Sequence, residues 1–134
     1  MLIKNNISYI SQLEAETIKK SLSKDVFVVE MDGERIQSSE DYLELAWLAF
    51  KFPYPDEEPS WDGYNDWISD LTWIDADGFA LFIHNFTKFM KKDYREKAAF
   101  VEHFRDFILP FWEDEVTKVF VGGKAKPFNV YLVE

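Results

Sequence analysis

Cysteine is absent from this 134-residue chain, which excludes a disulfide framework and leaves no thiolate for catalysis or metal binding. Basic residues are few: 15 lysines and arginines stand against 25 aspartates and glutamates, a formal net charge of −10. Nucleic acids are held through lysines and arginines that displace counterions, so direct nucleic-acid binding is excluded and a basic protein partner is favoured. Long apolar runs are missing too. No stretch could cross a bilayer and none follows Lys4 as a secretory leader requires, so no membrane partner is expected and the expected compartment is the cytoplasm. Nor is there a glycine-rich phosphate loop, an HExxH or GxSxG motif, or a Cys/His metal pattern, the usual carriers of hydrolytic and cofactor chemistry. No cofactor is expected.

What the chain has is aromatic carbon. Its residues are 47% hydrophobic and 18% aromatic, which suits a packed core and not an acidic disordered tail. At this length a single core buries about two thirds of the surface the unfolded chain exposes. One segment stands apart: from Phe52 to Thr87 there is no lysine or arginine, yet Asp56, Glu57, Glu58, Asp62, Asp66, Asp70, Asp75 and Asp77 lie there among nine aromatic side chains. Asp62, Asp66 and Asp70 recur every four residues, which stacks like charges along one helix edge at about 0.2–0.5 kcal/mol per pair. A pattern that works against its own helix is expected where something else is gained, and the gain here is the binding of something cationic. An ordinary solvated face is the bland alternative; the missing lysines and arginines favour binding.

Caps and periodicity give the order of elements. Ser11 with Glu14 caps a helix from about Gln12 to Leu22, read as an N-terminal extension of residues 1–25 before a domain of residues 26–134. Val26–Met31, Phe79–Ile83 and Phe128–Val133 read as buried strands. Ser38 with Asp41 opens a second helix carrying Leu43, Ala46, Trp47 and Phe50 on one face, and Pro53 to Pro59 form an extended acidic loop. Ser60 caps a third helix with Tyr64, Trp67, Ile68 and Leu71 inward and Asp62, Asn65, Asp66, Ser69 and Asp70 outward. Asp93 and Glu96 cap a fourth with Phe100, Phe104, Phe107 and Ile108 inward; beyond Pro110 the period continues through Trp112, Val116, Val119 and Phe120 to Gly122 and Gly123. Strands separated by helical crossovers predict an α/β fold with a small three-stranded parallel sheet flanked by helices, plus the extra N-terminal helix.

The stretch Met31-Asp-Gly-Glu-Arg-Ile36, a capped helix, and then Trp61-Asp-Gly-Tyr-Asn-Asp-Trp-Ile-Ser-Asp-Leu-Thr-Trp73 resemble the barstar family of ribonuclease inhibitors, whose members carry a similar W-D-x-x-x-D helix. The resemblance runs from about Phe27 to Leu132. It implies a three-stranded parallel sheet flanked by helices, and an acidic helix that plugs a ribonuclease active site together with the loop before it. On this resemblance Asp62 matches the first helix carboxylate, Asp66 matches the second, which enters the enzyme's phosphate site, and Tyr54 matches a loop aromatic. Two departures stand out. Asn65 replaces a tryptophan of the best-known inhibitor, and Asp56-Glu-Glu-Pro59 replaces a small glycine-containing loop. Gly63 stands where alanine is usual, a helix cost of about 1 kcal/mol.

The expected function is therefore intracellular inhibition of a basic microbial ribonuclease by a protein that is not itself an enzyme and is monomeric when free. Its expected partner-binding residues are Tyr54, Trp61, Asp62, Asn65, Asp66, Ser69 and Asp70. Carboxylates on a stiff helix imitate substrate phosphates and are not cleaved. Two alternatives keep part of this picture. One is an immunity protein for a different basic toxin. The other is a metal-dependent hydrolase using Asp62 and Asp66, one helical turn apart, with His84 near the end of the second strand, where open α/β sheets commonly place ligands. His103, set among helical acids, needs only a surface role.

Overall fold

The computed structural model describes residues 4–119 and 121–134; Phe120, expected to continue the last apolar period, lies outside the described residues. Four parallel strands, β1 (Ile7–Ile10), β2 (Val26–Asp32), β3 (Gly78–His84) and β4 (Phe128–Val133), form one sheet in the order β1-β4-β3-β2. The α/β class and the three expected strands are present, but the strand count is corrected from three to four. Ile7–Ile10 joins β4 in a short register from Ile7↔Val130 to Ile10↔Val133. Four residues ending against a capped helix carry too little alternation to announce a strand.

Strand alternation divides the apolar side chains between two faces. Phe79, Leu81 and Ile83 of central β3 enter the main core with Val29, Met31, Phe128, Val130 and Leu132. On the other face Ala80, Phe82 and Val133 meet Ala15 of α1 (Gln12–Ser21), with Ile18 and Leu22 packed alongside. The Ser11–Glu14 capping box is formed in both directions. No helix of the described residues is long and apolar enough to cross a membrane.

The main face is covered by α2 (Ser39–Ala49), α3 (Trp61–Ile68) and α4 (Tyr94–His103). The last continues through π-helical turns at Phe104–Ile108 and Phe111–Glu115 into α5 (Val116–Val119). A π turn inserts an extra residue and rotates the stripe that follows it. Phe100, Phe104, Ile108, Trp112 and Val116 stay buried, but Phe107 and Val119, both expected inward, are 66% and 58% exposed.

Helix α3 stops at Ile68, before Asp70 and Leu71, which were expected on its outer and inner faces. The N–H groups of Asp70 and Leu71 both donate to the Trp67 carbonyl, and Leu71 turns left-handed at φ 55°. Such a conformation costs a leucine about 1–2 kcal/mol, offset here by its burial in the core. Asp70 therefore sits in the closing turn, its carboxylate accepting from the Thr72 N–H at 3.2 Å, and the expected three-rung ladder has two rungs on the helix.

Candidate functional site

Helix α3 is fixed from beneath. Ser60 caps it by accepting from the Gly63 N–H at 3.1 Å. Tyr64 and Ile68 are fully buried. The Tyr64 and Tyr42 hydroxyls meet at 2.7 Å in the core, where burial pushes both phenols above their ordinary range. Trp112 donates its indole N–H to the Ile68 carbonyl at 3.0 Å. Gly63 lets the helix approach α2, since a Cβ there would come within 2.8 Å of Trp47 Cη2. The same Cβ position lies 3.3 Å from Glu57 Oε1, so the acidic loop leans on the first turn of α3, where a helix favours negative charge.

At about 100° per residue, burial of Tyr64 and Ile68 puts Asp62 and Asp66 at the crest of the exposed side, and both are exposed. Trp67 lies down one flank. Expected as core, it is only partly buried and joins an aromatic cluster, tilted against Tyr54 at 5.4 Å and edge-on to Trp73 at 5.8 Å between ring centroids. Trp73 is anchored by its indole N–H to the Phe50 carbonyl at 2.9 Å. Tyr54 itself is 59% exposed beside the aspartates.

Trp61, Asn65 and Ser69 lie down the other flank, facing α4. There His103 Nε2 lies 2.7 Å from Asn65 Oδ1. The amide oxygen can only accept, so the ring nitrogen donates, and burial holds the His103 pKa below its ordinary value. Trp61 and Phe107 bracket the imidazole at 6.2 and 5.5 Å. This bridge separates two hollows of about 280 and 320 Å³ that share Asn65 and His103; Glu96 lines the first, and Glu115 and Phe107 line the second.

The ion pairs of the described residues all lie elsewhere, and none engages Asp56, Glu57, Glu58, Asp62, Asp66, Asp70, Asp75 or Asp77. The crest keeps its negative charge. Of the seven residues singled out from the sequence, Tyr54, Asp62 and Asp66 are exposed on this surface, while Trp61, Asn65, Ser69 and Asp70 are half-buried around it. His103 and Phe107 complete the surface and were missed. A helical histidine gives no sign of its neighbour on another helix, and the π turn that exposes Phe107 leaves no mark in the periodicity. His84 is not brought to Asp62 and Asp66. It ends β3 on the sheet face away from α3 and bonds Glu30 Oε1 at 2.9 Å. No cluster of three or more potential metal-ligating side chains occurs among the described residues.

Fold and surface together define a parallel α/β protein that presents an acidic, aromatic-flanked helix to solvent. The sequence model of the barstar family, described as barnase inhibitors, matches residues 26–130. The chain belongs to the barstar family. β1 and α1 precede the matched span. Searches of curated proteins and of solved structures gave no match.

Proposed function

We propose that the protein inhibits a basic ribonuclease by inserting the crest of α3 into the enzyme's phosphate-binding cleft. The observation that supports this most is the exposed Asp62–Asp66 crest, which no cation of the described chain neutralises. A ribonuclease holds phosphate with arginine, lysine and histidine, and carboxylates at helical spacing offer those groups a substitute that cannot be cleaved. Asp66 meets the phosphate site, Asp62 pairs with a flanking cation, and Tyr54, Trp61, Asn65, Ser69 and Asp70 form the surround. Because α3 is held by buried contacts, little conformational freedom is lost on binding. The protein acts in the cytoplasm as an inhibitor and not as an enzyme, with residues 1–25 a supporting extension outside the contact surface.

Calorimetry and cleavage assays with a panel of basic microbial ribonucleases test this reading. A one-to-one complex with loss of cleavage is expected. Asp66→Ala weakens it most, by about 2 kcal/mol or more, as expected when one partner of a desolvated charge pair is removed. A ribonuclease inhibited equally by wild type, Asp62→Ala and Asp66→Ala overturns the helix-crest mechanism. Asn65 and the hollows around it favour one second reading, an immunity protein for a basic toxin of another class, which tight binding to such a toxin without inhibition of any ribonuclease would identify.

A further inference from the structure

The smaller of the two hollows beside α3, about 280 Å³ in volume, lies between Trp61 and Asn65 of α3 and Glu96, Ala99, Phe100 and His103 of α4. Its wall is mostly carbon, and no lysine or arginine of the described residues lines it. Its ionised group is Glu96. Half-buried in the first turn of α4, Glu96 donates its backbone N–H to the Asp93 carboxylate at 3.1 Å, and its own carboxylate enters no ion pair of the described residues. A cation brought there is attracted more strongly than at an open surface, because the apolar wall keeps water from one side of the pair. His103 adds no opposing charge: its ring nitrogen donates to Asn65, and burial keeps the imidazole neutral at pH 7. The aromatic part of the wall is fixed. Trp61 stacks on buried Tyr42 at 6.1 Å and stands edge-on to Tyr64 at 5.3 Å, so the indole is held in place before any partner arrives.

We propose that this hollow receives an arginine side chain of the basic protein that meets α3, its guanidinium lying against Trp61 and paired with Glu96. The inference rests on the reading of α3 as the contact surface and adds α4 to that surface; it holds for a ribonuclease and for another basic toxin alike. Size, charge and position select the occupant. Pockets for free small molecules run from about 300 to 1,000 Å³, so a hollow of this volume suits a single side chain. Its one carboxylate, with no cation beside it, calls for a positive group. A planar guanidinium can lie on an aromatic ring and still direct N–H groups sideways to a carboxylate, whereas an ammonium is a strongly hydrated point charge that gains less from such a wall. Trp61 and Asn65 each precede a crest aspartate, Asp62 and Asp66, so a partner seated on the crest brings its own basic rim over α4. Contacts at the crest and in the hollow are separate, and together they fix the rotation of the partner about α3, which one charge contact alone does not.

NMR titration of the full chain with N-acetyl-L-arginine amide, taken to about 50 mM because so small a ligand binds weakly, tests the hollow without any partner protein. The Trp61 indole N–H and the Ala99 amide should shift together and saturate. Glu96→Gln removes the charge and keeps the shape, and Ala99→Leu fills the hollow from an exposed helix position; each should abolish the shifts. Glu102→Gln, which removes the same charge beside a different hollow on α4, should leave them. With a ribonuclease that the protein is shown to inhibit, Glu96→Gln and Ala99→Leu should each raise Kd about tenfold, chiefly through faster dissociation. Absence of a saturable shift at Trp61 and Ala99 overturns the proposal, as do shifts that survive Glu96→Gln or equal binding of N-acetyl-L-lysine amide. A ribonuclease bound with wild-type affinity by Glu96→Gln and Ala99→Leu, yet weakened by Asp66→Ala, overturns it and leaves the crest mechanism standing. Weakening by Glu96→Gln and Ala99→Leu beside no effect of Asp66→Ala supports the hollow and overturns the crest mechanism instead.

Discussion

Gly63 sets where the acidic crest stands. An alanine there gains about 1 kcal/mol of helix propensity, yet its Cβ would lie 2.8 Å from Trp47 Cη2. Trp47 cannot step aside cheaply: it is buried, its indole N–H donates to the Tyr54 carbonyl at 3.1 Å, and its ring meets Phe52 edge-on at 4.9 Å. Overpacking of this kind costs about 1–3 kcal/mol and outweighs the propensity gain. Gly63→Ala should therefore lower the unfolding free energy by about 1 kcal/mol in denaturant titrations, whereas a stabilised variant would show that Trp47 yields. From the sequence the glycine is a local defect in a helix; only the approach of α2 gives it a purpose. Asp62 and Asp66 were legible for the opposite reason, since their spacing and their lack of cationic neighbours are properties of one short segment. Asn65 lies between these cases. Its outward face could be read, whereas its bond to His103, 38 residues away, could not.

The residues before Val26 show the same contrast at the scale of elements. Helix α1 announces itself through its capping box, but the face it covers depends on the sheet. Ala15 is fully buried against the layer that holds Ala80, Phe82 and Val133, and β1 adds its hydrogen bonds to β4. Ala15→Asp in the full chain would put an unpaired carboxylate against these side chains. A loss of at least about 2 kcal/mol is expected from burying a polar group without a partner, read by thermal or chemical denaturation. On the proposed mechanism, ribonuclease inhibition per folded molecule should stay at the wild-type level, because α1 covers the sheet face opposite α3. Reduced inhibition by the folded variant would place residues 1–25 in or beside the contact. Strands β2, β3 and β4 could be read because each is an apolar run bounded by turn residues, whereas β1 rests on pairing with a strand more than 120 positions away. In the helical segment after Tyr94 the expected core residues Phe100, Phe104, Ile108, Trp112 and Val116 are buried, and Phe107 and Val119 are not, because the π turns narrow the buried stripe to one residue in four.

Across the whole molecule, charge is distributed so that attraction and grip can be separated. The net charge of −10 acts over a Debye length, about 30 Å in 0.01 M salt and about 8 Å in 0.15 M salt, and so governs the approach of a basic partner from a distance. Contacts at the crest act only after water is excluded. Asp56, Glu57 and Glu58 are exposed on the loop, and Asp62 and Asp66 on the helix it leads into. If α3 enters a cationic cleft, the loop acids belong to the rim and should act on the association rate, while Asp66 should act on dissociation. Stopped-flow kinetics with an inhibited ribonuclease should show the association rate constant falling by about tenfold or more between 0.01 and 0.3 M salt, with a smaller change in dissociation. Neutralising the loop as Asp56→Asn, Glu57→Gln and Glu58→Gln should flatten that salt dependence and leave the dissociation rate near wild type; Asp66→Ala should accelerate dissociation and leave most of the salt dependence in place. An association rate indifferent to salt would mean that this surface does not steer the encounter, and equal effects of the two variants on dissociation would place the loop in the desolvated contact with the crest.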